Sequence, residues 1–599
     1  MVHGSPRHFN NAAGPLASGM IAPMGSMAPT ARASMASTGF DVVIRGGTVV
    51  DGTGMPAFTA DVALRGGRIA GIGRVAGRGA REIDADGAWV TPGFIDVHTH
   101  YDVQLDWDPL ATPSCWHGVT SAIAGNCGFT LAPARPEDVD WLSGMLSRVE
   151  GMSRAALGAG LRFAGGSFGD YWRRFDGRLG IHVGSYVGHS AVRRFVMGDD
   201  ASERRAAPEE IAAMQALVRD AMREGALGFS TSQIEVHVGE DGRGVPSNHA
   251  APEEILALAS VLAEFERGAV AIIPRSFSEG YDAADRALLR DLYRVSGRPV
   301  ELNLLVPNPQ HPMGWQATLD FCREAFRDGI RLHPQFTTNR LELHLRLSDT
   351  FVFDEMPAWR EALTRPEPER SRALRDPAVR ARLAAEFDDP RTRAVSFAWE
   401  DLVVEAVGDP RHAARVGRSA AELAAERGSS ALEAFLDCSL EEGLATWWCT
   451  RLSELAREFI AHVVRSSVVD PIVMPGSSDG GAHLGSFTGA DYTTRFLTDW
   501  VPDPIPLEQA IWRNTLVPAT VHGLRDRGCL REGACADVLV IDPAALGAGE
   551  TRLIRDFPAD TERFVVDARG YRAVLVSGEL LLEDGRHTGA LPGTVLRGA

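Results

Sequence analysis

Apolar and polar positions follow two rhythms along this chain. In its long central part, short apolar runs recur, each ending in small or polar residues. The first is Phe94-Ile95-Asp96-Val97, which leads into His98-Thr99-His100. Later runs end at Gly125-Asn126-Cys127-Gly128, Val187-Gly188-His189-Ser190, Gly228-Phe229-Ser230-Thr231-Ser232 and Ile273-Pro274-Arg275. The last three end at Leu302-Asn303-Leu304-Leu305, Leu332-His333-Pro334-Gln335-Phe336 and Pro471-Ile472-Val473-Met474. Such runs suit strands buried on both faces of a parallel sheet. Between several of them, as over 209–224, 252–267 and 315–327, apolar residues fall three and four apart, the helical period. Eight strands with intervening helices predict an α/β fold, a (β/α)8 TIM-like barrel, whose chemistry gathers at the C-terminal strand ends.

The second rhythm occupies the two ends. Asp41–Val50, Asp61–Ala70 and Ala88–Val90 read as short strands with glycine turns, and so do Ala536–Asp542 and Ala573–Leu581. Two β-rich ends around an α/β centre predict a small β-sandwich built from both termini. The expected division is a disordered extension over 1–39, sandwich parts over 40–90 and 521–599, and a barrel over 91–520. The charged, helix-like stretch of about 340–430 reads as an insertion before the last barrel strand, placed to act as a lid.

His98 and His100 lie two apart at a strand end. In a strand, such residues point to the same face, so both imidazoles project together. Two convergent imidazoles are half of a transition-metal site. A second polar cluster, Ser477-Ser478-Asp479-Gly480-Gly481-Ala482-His483, ends the eighth run. Strands one and eight are neighbours when a barrel closes, so Asp479 is expected beside the two histidines. Cys127, ending the second strand between Asn126 and Gly128, reads either as a ligand or as a small buried hydrophobe.

Composition narrows the chemistry. The net charge of −18 argues against nucleic acid as a partner and favours solubility. All 61 basic residues are arginine, which excludes lysine Schiff-base chemistry, a P-loop lysine and a carboxylated lysine bridging two metals. The seven cysteines are widely spaced with no CxxC pair, fitting a reducing cytoplasm better than a disulfide framework. No apolar run is long enough to span a membrane. The expected partner is a small-molecule substrate, and self-association into a homo-oligomer stays open.

Several longer motifs carry a resemblance. They include Val90-Thr91-Pro92-Gly93-Phe94-Ile95-Asp96-Val97-His98-Thr99-His100-Tyr101-Asp102, and Trp116-His117-Gly118-Val119-Thr120 with Gly125-Asn126-Cys127-Gly128. Gly225-Ala226-Leu227-Gly228-Phe229-Ser230-Thr231-Ser232, Ser478-Asp479-Gly480 and Thr588-Gly589-Ala590-Leu591-Pro592-Gly593 add to them. In these the chain resembles the amidohydrolase superfamily, and within it the N-acyl-D-amino-acid deacylase (D-aminoacylase-like) branch. The resemblance implies metal ligation by His98, His100, Cys127 and Asp479, with Asp479 also moving protons. It further implies histidines at the ends of strands five and six, where this chain has Arg275 and Asn303 or Leu304. An arginine stays protonated and cannot ligate. One divalent metal is therefore expected, zinc by its N, O and S donors, with Fe(II) or Mn(II) as alternatives.

The implied reaction is hydrolysis of a linear amide, such as an N-acyl amino acid of D configuration, with Asp479 as general base and acid. Arg275, His189 and Tyr101 are the expected substrate-binding residues, Arg275 because its fork matches a carboxylate. Pairing of Arg275 with Glu279 is the competing expectation, and Arg340 is a second candidate cation. His117 and His483 are candidates for supporting the ligands, whereas His237 and His249 read as surface residues. Cyclic-amide hydrolysis, deamination, a Lewis-acid lyase or cyclase, and a non-catalytic scaffold remain the alternatives.

Overall fold

The computed structural model describes residues 39–598 apart from 306, 337, 339–341 and 390–396. The extension expected over 1–39 lies outside the described residues except for Gly39, and so does Arg340. Among the described residues, no helix is long and apolar enough to cross a membrane.

The centre is an α/β barrel. Its first strand, Phe94–Asp96, pairs in parallel with the second, Val119–Ala124, which pairs with the third, His182–Ser185. The third resumes after Tyr186 as Val187–Gly188 and passes the ladder to the fourth, Gly228–Ser232. The fifth, Ala269–Ile273, sixth, Val300–Leu302, seventh, Leu332–Phe336, and eighth, Met474–Pro475, follow in order. A parallel bridge between Thr99 and Gly480 joins the chain beyond the eighth strand to the chain beyond the first. Every residue of strands one to seven is buried, as their apolar runs require.

Both chain ends build a mixed sheet. The strand Trp89–Pro92 lies between Phe40–Val49 from its own end and Val538–Ile541 from the other. Eight of its nine strands follow one another in a ladder, and the ninth, Gly79–Asp84, pairs with Phe40–Val49 off that path. Its shared core includes Ile44, Leu64, Val90, Val540 and Leu575. Trp89–Pro92 runs through Gly93 straight into the first barrel strand. A Cβ on Gly93 would come within 2.1 Å of the Thr120 Oγ1, so only glycine lets strand two approach here.

The sheet is also tied to the barrel electrostatically. Buried Arg527 pairs with buried Asp537 at 2.8 Å, and Asp537 lies 3.1 Å from the Nε2 of His182 in strand three. Burial alone would raise the Asp537 carboxyl. The His182 and Arg527 charges and the Ser577 N–H outweigh it and hold the group below the usual carboxylate range.

The insertion between strands seven and eight is a folded unit with its own core rather than a purely helical lid. The helices Pro357–Leu363, Pro377–Phe387, Ala420–Arg427 and Ala431–Glu441 pack on an antiparallel sheet ordered His344–Leu345, Trp447–Thr450, Leu402–Ala406. Capping boxes at Ser419 with Glu422 and Ser430 with Glu433 start the last two helices. Phe353 stacks on Trp359 with ring centroids 4.2 Å apart, and Phe435 and Trp448 complete the core.

Asp537→Asn leaves buried Arg527 with only the half-exposed Asp526 at 3.3 Å and is expected to cost up to about 3–5 kcal/mol. Because the folded-state pKa of Asp537 is depressed, the wild-type advantage is full above the unfolded value of about 3.9 and is lost as pH falls through the folded value. Denaturant melts of both proteins at neutral and acid pH check this, since an advantage that does not shrink on acidification excludes the Asp537 charge as its source.

Candidate metal centre

The chain past strand one projects both expected histidines into a cavity of about 120 Å³ at the barrel's C-terminal end. The Nε2 atoms of His98 and His100 lie 3.3 Å apart. Cys127 Sγ stands 3.4 Å from His98 Nε2. Asp479 Oδ1 is 3.3 Å from His98 Nε2 and 3.7 Å from His100 Nε2. A nitrogen pair, a sulfur and a carboxylate oxygen thus converge from strand ends one, two and eight.

Backbone contacts hold this convergence. The Asp479 N–H donates to the His98 carbonyl at 3.2 Å, and the His100 N–H donates to the Gly480 carbonyl at 2.7 Å. The Ser478 hydroxyl also donates to the His98 carbonyl, at 3.1 Å. Cys127, Ser477, Asp479 and His483 all adopt left-handed φ, from 50° to 56°. Side chains disfavour this region by about 1–2 kcal/mol each, so the surrounding contacts must impose it. A Cβ on Gly481 would meet the His100 carbonyl at 2.7 Å, so that position has no room for a side chain.

A buried relay fixes His98 from behind. Its Nδ1 lies 3.1 Å from Gln335 Oε1, and the Gln335 amide nitrogen donates to Glu301 at 2.7 Å. A carboxylate only accepts, so Glu301 orients the amide and the amide oxygen then accepts from Nδ1–H. The Nε2 lone pair of His98 is left facing the cavity. The second Glu301 oxygen lies 2.7 Å from His522 Nε2, which the Tyr186 hydroxyl also approaches at 2.7 Å.

Glu150 was hidden in the sequence. It follows the helix Val139–Val149, where a lone glutamate reads as a solvated helix end. In the fold it is buried, with Oε1 3.1 Å from His100 Nδ1 and Oε2 3.9 Å from His483 Nε2. His483 lines the cavity, and its N–H donates to the Glu150 carbonyl. His237, expected at the surface, also lines the cavity, with Nδ1 2.8 Å from the Ser232 hydroxyl. Its loop folds back over the barrel mouth, which local polarity does not reveal. Ile273, Asn303 and Leu304 line the cavity from strands five and six, so those ends contribute no imidazole among the described residues.

Three expected substrate-binding residues stand elsewhere. Strand five stops at Ile273, and Arg275 follows in a turn with its side chain exposed and outside the cavity lining. His189 is buried with both ring nitrogens engaged, Nδ1 with Thr231 at 2.8 Å and Nε2 with Glu254 at 2.9 Å. Tyr101 is buried beneath Gly480 and pairs through its hydroxyl with Ser114 at 2.7 Å. Tyr101 and His189 therefore support the barrel mouth rather than line it. His117 likewise spends its nitrogens on Thr494 and the Val566 carbonyl, away from the ligands.

Burial would raise the Asp479 carboxyl, but the hydrogen bond from His100 and the His98 and His483 imidazoles hold it far below the usual range. Burial pushes Glu150 well up, helped by the Asp479 and Asp102 charges. It also raises the Cys127 thiol and lowers His100, with His483 brought to about 4 and His237 to about 3. Without a cation, these shifts favour an ionised Asp479 beside the uncharged forms of Glu150, Cys127, His100, His237 and His483.

Removing the relay should free the His98 ring to take the other tautomer. Gln335→Leu and Glu301→Gln are each expected to weaken divalent-metal binding by about 10–100-fold, measured by chelator competition. Unchanged affinity in both variants would show that the relay does not set the His98 tautomer.

The chain is similar to known proteins along most of its length. A model of the amidohydrolase family matches residues 81–581. The N-acyl-D-aspartate deacylase of Alcaligenes xylosoxydans xylosoxydans is 30% identical over 573 residues, covering 93% of this chain and 95% of that protein. The solved N-acyl-D-glutamate deacylase of Bordetella bronchiseptica, complexed with zinc and a phosphonate mimic of the tetrahedral intermediate, matches with a TM-score of 0.63 and 25% identity. That match covers 93% of this chain and 100% of the other. A D-aminoacylase structure with a binuclear metal centre, described as activated by one metal and attenuated by the second, matches with a TM-score of 0.62 and 25% identity. It covers 93% of this chain and 99% of the other. By its matched length, its barrel and its donor set, this chain belongs to the amidohydrolase family, on the branch that holds the N-acyl-D-amino-acid deacylases.

Proposed function

We propose that this protein is a metal-dependent hydrolase of linear amide bonds, acting on N-acyl amino acids of D configuration or on closely related small amides. The observation that carries this reading is the convergence of His98, His100, Cys127 and Asp479 on one point at the barrel's C-terminal end. Four donors of N, S and O type suit one divalent cation, zinc first, and these residues would hold it. When bound, such a cation supplies the Lewis acidity that makes water nucleophilic at neutral pH and polarises an amide carbonyl.

The chain's own residues supply the rest. Asp479 is ionised at neutral pH and accepts the proton of the attacking water, then returns it to the departing nitrogen. Its side chain is 22% exposed, so it faces the cavity rather than the packed core. Burial and the neighbouring carboxylates favour the uncharged form of Glu150 behind His100, which limits negative charge beside Asp479. Ile234, Ile273, Phe277 and Leu304 form an apolar wall that excludes bulk water from the reacting amide. The described space holds the reacting group and its nearest substituents, so longer acyl or side chains extend toward the mouth.

Activity against a panel of N-acyl-D-amino acids, N-acyl-L-amino acids and cyclic amides tests the substrate reading. Turnover of linear N-acyl-D substrates is expected, and exclusive turnover of cyclic amides would replace it. Asp479→Asn is expected to lower kcat by about 10²–10⁴-fold. Elemental analysis should show one metal equivalent per chain lost on Asp479→Ala and on Cys127→Ala. Loss of two equivalents in either variant would mean that the barrel mouth holds a binuclear centre.

A further inference from the structure

Outside the cavity, three strands of the insertion bring a second set of metal-type donors together. His344 stands opposite Cys449 in one antiparallel ladder, and Cys449 stands opposite Val403 in the next. Glu405 lies two residues beyond Val403, on the same face, where the register shifts between Val404 and Ala406. One donor from each strand therefore reaches the same side of the sheet. The His344 Nδ1 lies 2.7 Å from Glu405 Oε2, and the ligating atoms of His344, Glu405 and Cys449 all lie within 4.8 Å of one another. His344 and Cys449 are buried and Glu405 is half-buried, so solvent reaches the group from one side.

The surroundings are built for a fixed geometry. The His344 ring stacks on Phe564 at 4.2 Å, and Trp447 meets the same ring edge-on at 5.2 Å. Phe564 belongs to the strand Thr561–Arg569 of a hairpin near the C-terminus. The His344 N–H donates to the Ser486 carbonyl at 2.5 Å, and the Phe564 N–H donates to the Leu484 carbonyl at 2.8 Å. The group thus sits where the insertion, the hairpin and the loop carrying His483 meet.

Another His, Cys and Asp cluster shows what a purely structural group looks like here. At His182, Cys535 and Asp537, the carboxylate is already neutralised by Arg527 at 2.8 Å, and the Thr594 hydroxyl lies 2.8 Å from His182 Nδ1. No arginine pairs with Glu405 among the described residues, and its ion-pair partner is His344 itself.

We propose that His344, Glu405 and Cys449 form a second divalent-metal site of zinc type, which crosslinks the three strands of the insertion beside the C-terminal hairpin and the loop carrying His483. One nitrogen, one oxygen and one sulfur donor provide three corners of a tetrahedron, and water on the exposed side takes the fourth. On binding, Cys449 releases its thiol proton to solvent, and the His344 contact with Glu405 is replaced by a bond from each to the cation.

Cobalt(II), added to the full-length His98→Ala/Cys127→Ser protein, reads this site with the cavity's His98 and Cys127 donors removed. One bound equivalent with a thiolate-to-cobalt charge-transfer band is expected, with a rise in melting temperature. Adding Cys449→Ser should abolish the band, the bound equivalent and the rise. A protein with native circular dichroism that binds no cobalt, or that keeps its band after Cys449→Ser, overturns the proposal. Should the double variant misfold, Cys449→Ser alone must lower the cobalt stoichiometry of the otherwise intact protein by one, and no change would equally overturn it. Neither outcome bears on the catalytic reading, which uses none of these residues.

Discussion

The joint between the first and last barrel strands is the constraint on which the rest depends. Asp479 N–H to His98 carbonyl, His100 N–H to Gly480 carbonyl and Ser478 hydroxyl to His98 carbonyl lock two segments nearly 400 residues apart in sequence. Those bonds place two imidazoles and one carboxylate on a common point. They also offset the left-handed backbone at Ser477, Asp479 and His483, which no helix or strand would choose. On the opposite side, Gly93 and the strand Trp89–Pro92 hold the first barrel strand in the terminal sheet. The ligand pair is therefore anchored at both ends of a short strand, which is how a loop-borne site gains the precision of a sheet.

Electrostatics then separates the buried acids by neighbour. Asp479 lies against imidazoles that favour its charge, whereas Glu150 is buried beside other carboxylates that oppose ionisation. Two acids about one cavity are thus pushed in opposite directions, Asp479 toward its ionised form and Glu150 toward its neutral one, so that Asp479 is the one poised to accept a proton. Behind His98, Glu301 acts through Gln335 without touching the cavity. Its fully buried charge is placed where it can set a tautomer rather than add attraction.

The insertion is a separately packed unit beside the barrel. Its core is independent of the barrel core, and its contacts reach the barrel through a few defined points. Phe351 packs on the His483 ring at 4.6 Å, which couples the insertion to a cavity-lining histidine. An ordered junction at His344 and Phe564 therefore bears on the position of the His483 loop, and through it on Glu150.

By itself, the sequence determined the alternation of buried strands and helices, the β-rich ends, His98, His100 and Asp479 as candidate donors, and the family. These are legible because each rests on a local period or on a motif confined to a few adjacent residues. Strict burial writes strands one to seven as apolar runs, and a strand-end His-x-His needs no partner to be recognised. Tertiary structure alone decided which polar residues meet across the barrel. Glu150 reads as a helix end, Gln335 as a strand end and His237 as a loop residue, yet the fold brings Glu150 and His237 to the cavity and Gln335 against His98. Arg275 went the other way, because strand five ends two residues too early to carry it inward. Side-chain direction beyond the last ladder bond is set by packing between distant segments, and no local pattern encodes that.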